Sequence, residues 1–284
     1  MNKWILGARV RTLPAAVAPV LVGTSFATKI NWVNAFLALV VSLFLQIAVN
    51  FSNDYSDGIR GTDTNRVGPT RLVASGLASA KAVRIAAFIS FSIACIAGTL
   101  LSLNTTLWLI LVGIISVLAA WGYTGGKRPY GYLGFGEFSV FIFFGLVATI
   151  GSYYVQTQEI NWQIVLLSIP VGSLSCAILV INNLRDRPLD EIAGKQTLAV
   201  RFGDQRTRYF YLFLLIITQL SVVLAVSIDK QIALTLICLP LVYNVLMQVL
   251  RGAKGEELIV VLGKTARVQL ITAVLISLAL LVQH

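Results

Sequence analysis

The chain is a succession of apolar runs, each close to the roughly 20 residues that an α-helix needs to cross the hydrocarbon layer of a bilayer. Nine can be read, over 13–29, 33–52, 82–103, 105–123, 135–156, 162–183, 208–228, 231–250 and 266–283. Lipid offers the backbone no hydrogen-bond partners, so the runs predict helices: an all-α integral membrane protein of nine transmembrane helices in one bundle. Hydrophobic residues make up 57% of the 284 positions and charged ones 12%, against about 25% charged in soluble domains. A soluble enzyme, a disordered tail, a coiled coil and a secreted disulfide scaffold are excluded. Cys95, Cys176 and Cys238 lie far apart inside apolar runs and read as small hydrophobes. The single histidine, His284, is the last residue of the sequence. The opening Met1-Asn2-Lys3-Trp4 lacks a cleavable signal pattern, so the first span is expected to stay in the mature protein.

The basic residues test this count. With the N-terminus cytoplasmic, the arm and the segments near 53–84, 124–134, 184–207 and 251–267 hold all but Lys29 and Lys230 of the 22 lysines and arginines. Such a one-sided split is what the positive-inside rule expects, so the net charge of +10 reflects membrane topology and calls for no nucleic acid partner. Ten of the twelve acids fall on the same side, although acids do not follow that rule. Two of these segments are much longer than the outer loops, which places any chemistry at the cytoplasmic face.

Two constellations stand out. The second run ends in Asn50-Phe51-Ser52-Asn53-Asp54-Tyr55-Ser56-Asp57, where helical spacing puts Asn50, Asp54 and Asp57 on one face. The sixth ends in Asn182-Asn183-Leu184-Arg185-Asp186-Arg187-Pro188-Leu189-Asp190, with Asn182, Asp186 and Asp190 each four apart. Two such patches, four helices apart, suggest pseudo-repeated four-helix units with the site at their interface. Carboxylates this close persist only with a cation between them or with shifted protonation. Mg2+ takes oxygen ligands and is held by one or two carboxylates plus substrate phosphates, so facing patches would grip a diphosphate through bridging metals. Bland alternatives stay open, since Asn and Asp also form helix caps and turns. Arg66, Arg71, Lys127, Arg128, Lys195 and Arg201 interleave with the acids, where cations would neutralise a leaving diphosphate or simply mark the cytoplasmic side. Glu137 enters the fifth span, as a functional acid or as a partner of the helix dipole. Aromatic rings crowd the same span, for packing or to stabilise a carbocation. Pro170 and Pro240 predict kinks.

These residues resemble the UbiA-type intramembrane aromatic prenyltransferases. The resemblance is carried by Asn53-Asp54-x-x-Asp57, by Asp186-x-x-x-Asp190 and by the number of spans. More narrowly, Asn53-Asp54-Tyr55-x-Asp57 leading to Gly61-Thr62-Asp63 and Arg66-x-Gly68-Pro69-x-Arg71 is similar to the 1,4-dihydroxy-2-naphthoate polyprenyltransferases of that group. So are Gly126-x-Arg128-Pro129-Tyr130-Gly131-Tyr132-x-Gly134-x-Gly136-Glu137 and Asn182-Asn183-x-Arg185-Asp186 leading to Gly194-Lys195-x-Thr197-Leu198. The matches run from about residue 9 to 203. The resemblance implies one prenyltransferase domain over 1–284 in the cell's inner membrane, with Mg2+, two ions bridging the diphosphate. It implies transfer of a polyprenyl group from polyprenyl diphosphate to 1,4-dihydroxy-2-naphthoate with loss of carbon dioxide, giving demethylmenaquinol. Asp54, Asp57, Asp186 and Asp190 would hold the metals with Asn50, Asn53 and Asn182. Arg66, Arg71, Lys127, Arg128 and Lys195 would hold the diphosphate, Asp63 and Glu137 the acceptor's phenolic proton, and Arg9 the acceptor's carboxylate.

Other readings remain open on sequence alone. The acceptor could be 4-hydroxybenzoate or homogentisate. Asp57-Gly58-x-Arg60 loosely resembles a phosphatidyltransferase signature, which continues with more aspartates than the single Asp63 here. A secondary transporter would place its ionisable residues near the midplane, whereas these sit at helix ends.

Overall fold

The computed structural model describes residues 2–61, 68 and 70–282, and every described regular element is helical. Helix α1 (Lys3–Ala8) leads through a 3₁₀ turn into α2 (Pro14–Ser25), the two bent by 52°. The break has two sources in the sequence: Arg9 sits in the left-handed region at φ 52°, and Pro14 opens α2, where its missing N–H costs nothing. Long helices α3 (Trp32–Arg60) and α4 (Ala80–Asn104) follow, then the short α5 (Leu109–Gly122). The fifth expected span is α6 (Gly136–Val140), a π-helical stretch over Phe141–Val147, and α7 (Ala148–Thr157). Helices α8 (Trp162–Ile192) and α9 (Leu198–Ala225) come next, then a 3₁₀ segment Lys230–Cys238 running into α10 (Leu239–Leu250), and finally α11 (Glu256–Val282).

Seven of these helical stretches are long and apolar enough to cross a membrane, and the bent pair α1–α2 would make an eighth. The fourth expected span falls on α5, whose 14 residues rise only about 21 Å, short of a hydrocarbon core of about 30 Å. Helix α8 runs as one helix through Pro170 and Pro188, and Pro240 lies in the first turn of α10, where the preceding 3₁₀ segment passes into α-helix.

Several helices outrun their apolar stretches. Helix α3 continues to Arg60 and α8 to Ile192, while α9 begins at Leu198 and α11 at Glu256. Polar residues expected in loops are therefore helical, and the Asn/Asp patches sit on rigid rods. Helices α3 and α8 also begin alike. Ile30-Asn31-Trp32 and Ile160-Asn161-Trp162 both place an N-cap Asn whose side chain accepts backbone N–H groups of the first turn.

Helix α8 is the axis of the bundle, with most of its length buried. Its faces build two apolar clusters, one with α9, α10 and α11 around Ile181, Tyr211 and Val245, the other with α2, α7 and α11 around Val22, Leu167 and Ile276. Where the π segment crosses α8, Gly145 and Gly172 meet so closely that a Cβ on Gly145 would lie 2.6 Å from the Gly172 Cα. That contact brings Phe143 and Phe144 to the wall of a central cavity. The Arg208 guanidinium donates to the Val249 and Ala253 carbonyls (2.5 and 3.0 Å), closing the C-terminal end of α10.

Candidate active site

A cavity of about 350 Å³ runs between α3, α4, α5, α7 and α8. On α3 it is lined by Ala38, Val41, Ser42, Leu45, Gln46, Val49, Asn50, Asn53 and Asp57, a stripe at helical spacing. From Ala38 to Asp57 the helix rises about 28 Å, nearly the thickness of the hydrocarbon core. One end is apolar, with Val20, Leu101, Leu109 and Val155; the other gathers Asn53, Asp57, Arg71, Asp186, Asp190 and Lys195.

At the polar end the two acidic patches meet. Lys195 Nζ lies 3.4 Å from Asp57 Oδ1 and 3.3 Å from Asp190 Oδ1, so one ammonium bridges the ends of α3 and α8. Its position follows from how α8 stops. Gly194 takes φ +73°, its N–H bonding the Glu191 carbonyl (3.1 Å) and the Lys195 N–H the Asp190 carbonyl (2.8 Å), the pair of bonds of a Schellman cap. The chain reverses there, and Lys195 returns over the helix it has just left. The Tyr132 hydroxyl donates to Asp57 Oδ1, and Arg71 Nη2 stands 3.7 Å from Asp57 Oδ2. The Tyr132 ring lies between two cations, Lys195 at 4.6 Å and Arg60 at 5.3 Å from its centroid. Burial and then the Asp57 charge push the Tyr132 phenol well above its ordinary value, so it remains a proton donor. On the facing side, Arg185 makes a two-pronged contact with Asp186 (2.8 and 2.9 Å) and donates to Asn182 Oδ1 (2.8 Å).

Carboxylate and amide oxygens are the donors a hard divalent cation takes, and Asn53, Asp57, Asn182, Asp186 and Asp190 all line this end of the cavity, so the residues fit Mg2+. Among the described residues no three acids already converge on one point, because Lys195, Arg71 and Arg185 hold the three carboxylates. Residues 16–258 match the UbiA prenyltransferase family. The chain belongs to this family.

Its relatives agree. The chain is 46% identical over 281 residues to the 1,4-dihydroxy-2-naphthoate octaprenyltransferase of Mycobacterium tuberculosis, covering 98% of this chain and 96% of that protein. It is 34% identical over 297 residues to the enzyme of the same name from Haemophilus influenzae, covering 99% and 96%. The fold is shared with a UbiA homolog from Archaeoglobus fulgidus solved bound to DMAPP and Mg2+, at a TM-score of 0.69 and 16% identity, covering 99% of each chain. As a UbiA family member, the protein is a prenyltransferase and an integral membrane protein.

The structure redistributes the residues expected of this UbiA site. Asp54 is fully buried, and its two oxygens accept the Leu72 and Val73 N–H groups (2.8 and 3.1 Å); it does not line the cavity. At about 100° per residue, Asp54 lies only about 40° from Asn50 but about 100° from Asn53 and about 140° from Val49, which puts it at the edge of the stripe that lines the cavity. Asn50 lines the cavity but spends its amide on the Ala8 carbonyl (2.9 Å) and Thr12 Oγ1 (3.2 Å). Glu137 is buried away from the cavity against α8, where Oε1 accepts from Asn183 Nδ2 (2.9 Å); Asn183 is the residue that reaches the cavity. Lys127 and Arg128 are exposed and line no part of it. Asp63 and Arg66 lie outside the described residues. Arg9 lines the cavity beside Thr12, with Nη2 donating to the Asn50 carbonyl (3.3 Å). Arg60 and Tyr132 were not singled out as site residues. Arg60 ties the end of α3 to the Thr124 and Gly126 carbonyls (2.6 Å each), and Thr124 in turn donates to Asn53 Oδ1 (2.7 Å). The signal for both was their place in the motifs, Arg60 just before Gly61 and Tyr132 in Pro129-Tyr130-Gly131-Tyr132.

Proposed function

We propose that this protein transfers a polyprenyl group from polyprenyl diphosphate to 1,4-dihydroxy-2-naphthoate with decarboxylation, giving demethylmenaquinol for menaquinone synthesis. The observation that carries this reading is the Lys195 bridge between Asp57 and Asp190 at the mouth of a long apolar cavity. The names of the full-length relatives support the acceptor and the chain class. The tail lies along the α3 stripe and the diphosphate at the polar end. Asn53, Asp57, Asn182, Asp186 and Asp190 hold the metal, with two Mg2+ ions in this reading. When bound, such a cation neutralises the phosphates and improves diphosphate as a leaving group.

Arg71 and Lys195 face the diphosphate, with Arg66 as a further ligand, and take up the charge it gains as the allylic carbon–oxygen bond breaks, while Arg185 holds Asp186. Tyr132 holds Asp57 and keeps its ring against Lys195, fixing both before substrate arrives. The apolar walls, with Phe143 and Phe144, exclude water that would quench the allylic cation. The ring carbon bearing the acceptor's carboxylate attacks that cation, carbon dioxide departs, and its bonding pair restores the aromatic ring. Arg9, beside Thr12 and Asn50, orients the acceptor's carboxylate, and Asp63 takes a phenolic proton as the ring attacks and returns it as carbon dioxide leaves, so that the product is the quinol.

In this reading residues 1–284 form one domain crossing the inner membrane nine times, with α1–α2 and α5 as the two spans that are bent or short. The N-terminus and the segments near 53–84, 124–134 and 184–207 are cytoplasmic, which puts the site at that face. Product analysis by mass spectrometry tests the proposal. Purified protein in lipid with Mg2+ receives each of 1,4-dihydroxy-2-naphthoate, 4-hydroxybenzoate and homogentisate together with octaprenyl diphosphate. The decarboxylated prenyl naphthoquinol is expected; a prenylated benzoate or homogentisate product in its place would overturn the acceptor assignment.

A further inference from the structure

Two glycines in the lining of the apolar cavity have open space beside them. Gly113 on α5 and Gly151 on α7 both line it, and a Cβ built on either would meet nothing within 4 Å. Neither has positive φ, so a side chain could be carried there without backbone strain. Both belong to inward-facing stripes, Gly113 with Leu109, Ser116 and Ala120, Gly151 with Val147 and Val155. Added bulk at either position would therefore project into the space of the tail. This differs from Gly145 and Gly23, where the added atom would strike backbone at 2.6 and 2.2 Å and the helices would have to separate.

Depth along the cavity gives the consequence. Gly113 lies about 15 Å down α5 from Tyr123, which lines the polar end near Asp57, and Gly151 lies a similar distance beyond Ser139. Carbon–carbon bonds near 1.5 Å advance a zigzag chain by about 1.25 Å each, so a geranyl tail reaches about 10 Å and an octaprenyl tail about 40 Å. The short tail ends above the glycine level. The long one must pass it, and it exceeds even the full stripe from Ala38 to Asp57.

We propose that Gly113 and Gly151 are the chain-length determinants of this enzyme, the gap between them being the passage through which tails longer than geranyl continue. The inference rests on the reading of the cavity as the prenyl site, and the test separates the two. Wild type, Gly113→Leu, Gly151→Leu and the control Ile114→Ala, at an exposed position of α5 outside the cavity lining, are assayed in nanodiscs with 1,4-dihydroxy-2-naphthoate and either geranyl or octaprenyl diphosphate. The quantity read is the ratio of kcat/KM for octaprenyl to that for geranyl diphosphate. Each leucine variant is expected to lower that ratio by about tenfold or more, with Ile114→Ala close to wild type. An unchanged ratio in both leucine variants, whether through full activity or equal loss on both chains, overturns the assignment. If the wild type transfers neither chain, the failure is of the underlying function and not of the glycines.

Discussion

Asp57 on α3 and Asp190 on α8 share one ammonium, Lys195 Nζ standing 3.4 Å from the first and 3.3 Å from the second. Two helix ends far apart in the chain are thereby joined into one electrostatic unit. The bridge exists because Gly194 folds the chain back over the end of α8. If a metal were to take the carboxylate oxygens, the buried ammonium between them would be left as a counter-ion for a diphosphate.

That geometry predicts the effect of Gly194→Ala. Any residue with a Cβ is strained at φ +73°, by about 1–2 kcal/mol. If half of this strain is relieved by displacing Lys195, kcat/KM should fall several-fold, since 1.4 kcal/mol is about a factor of ten. Steady-state kinetics and thermal unfolding of the variant in detergent check both parts.

Asp54 and Asp57 are predicted to behave differently although they are three residues apart. Asp54→Asn leaves one of two backbone N–H groups facing an amide, which should cost about 1.5–3 kcal/mol and lower Tm while catalysis in the folded fraction largely survives. Asp57→Asn leaves Lys195 and Arg71 short of a buried partner and should also lower Tm, but in addition it should reduce turnover of the folded fraction by at least about a hundredfold, as for other groups that stabilise charge in a transition state. Measuring Tm and turnover together separates the two; equal loss of turnover would return Asp54 to the metal site.

The contrast shows how far the sequence was legible. Apolar runs located the helices because lipid leaves the backbone no other choice, and the Asn/Asp spacing located both patches. Hydrophobicity could not show where helices end, since α3, α8 and α9 continue as helix into polar sequence. For the same reason a helical wheel drawn about Asn50 put Asp54 inside, whereas the 70–73 backbone claims its carboxylate. The pairing of Glu137 with Asn183 and the stacking of Tyr132 between Arg60 and Lys195 depend on contacts across helices, which spacing within one helix does not encode.

Tyr132 carries a pH prediction. Its phenol is raised above 10.0, first by burial and then by Asp57. The neutral form is thus favoured in the folded protein, and this contribution is complete below the unfolded phenol's pKa of about 10 and is lost as pH rises beyond it. Between pH 6 and 9 the profile of kcat/KM should show no limb from Tyr132, so Tyr132→Phe should lower the whole curve several-fold without changing its shape. A limb that vanishes in the variant would contradict the assignment.

The Gly145 and Gly172 contact predicts a packing defect far from the chemistry. A Cβ on Gly145 2.6 Å from the Gly172 Cα must push the π segment off α8, at about 1–3 kcal/mol for overpacking. Gly145→Ala should lower Tm in detergent, and a Tm equal to wild type would show that the two helices have slack.

The central claim is that the ends of α3 and α8 form a single diphosphate-binding unit. The most direct measurement is Mg2+-dependent binding of prenyl diphosphate to wild type, Asp57→Asn, Asp190→Asn and the double variant, by calorimetry in nanodiscs. Each single change should remove the Mg2+-dependent part of the affinity, and the double should be no weaker than the weaker single, as for groups that act together. If the two losses simply add, or if either single variant binds as tightly as wild type, the two helix ends do not share a ligand.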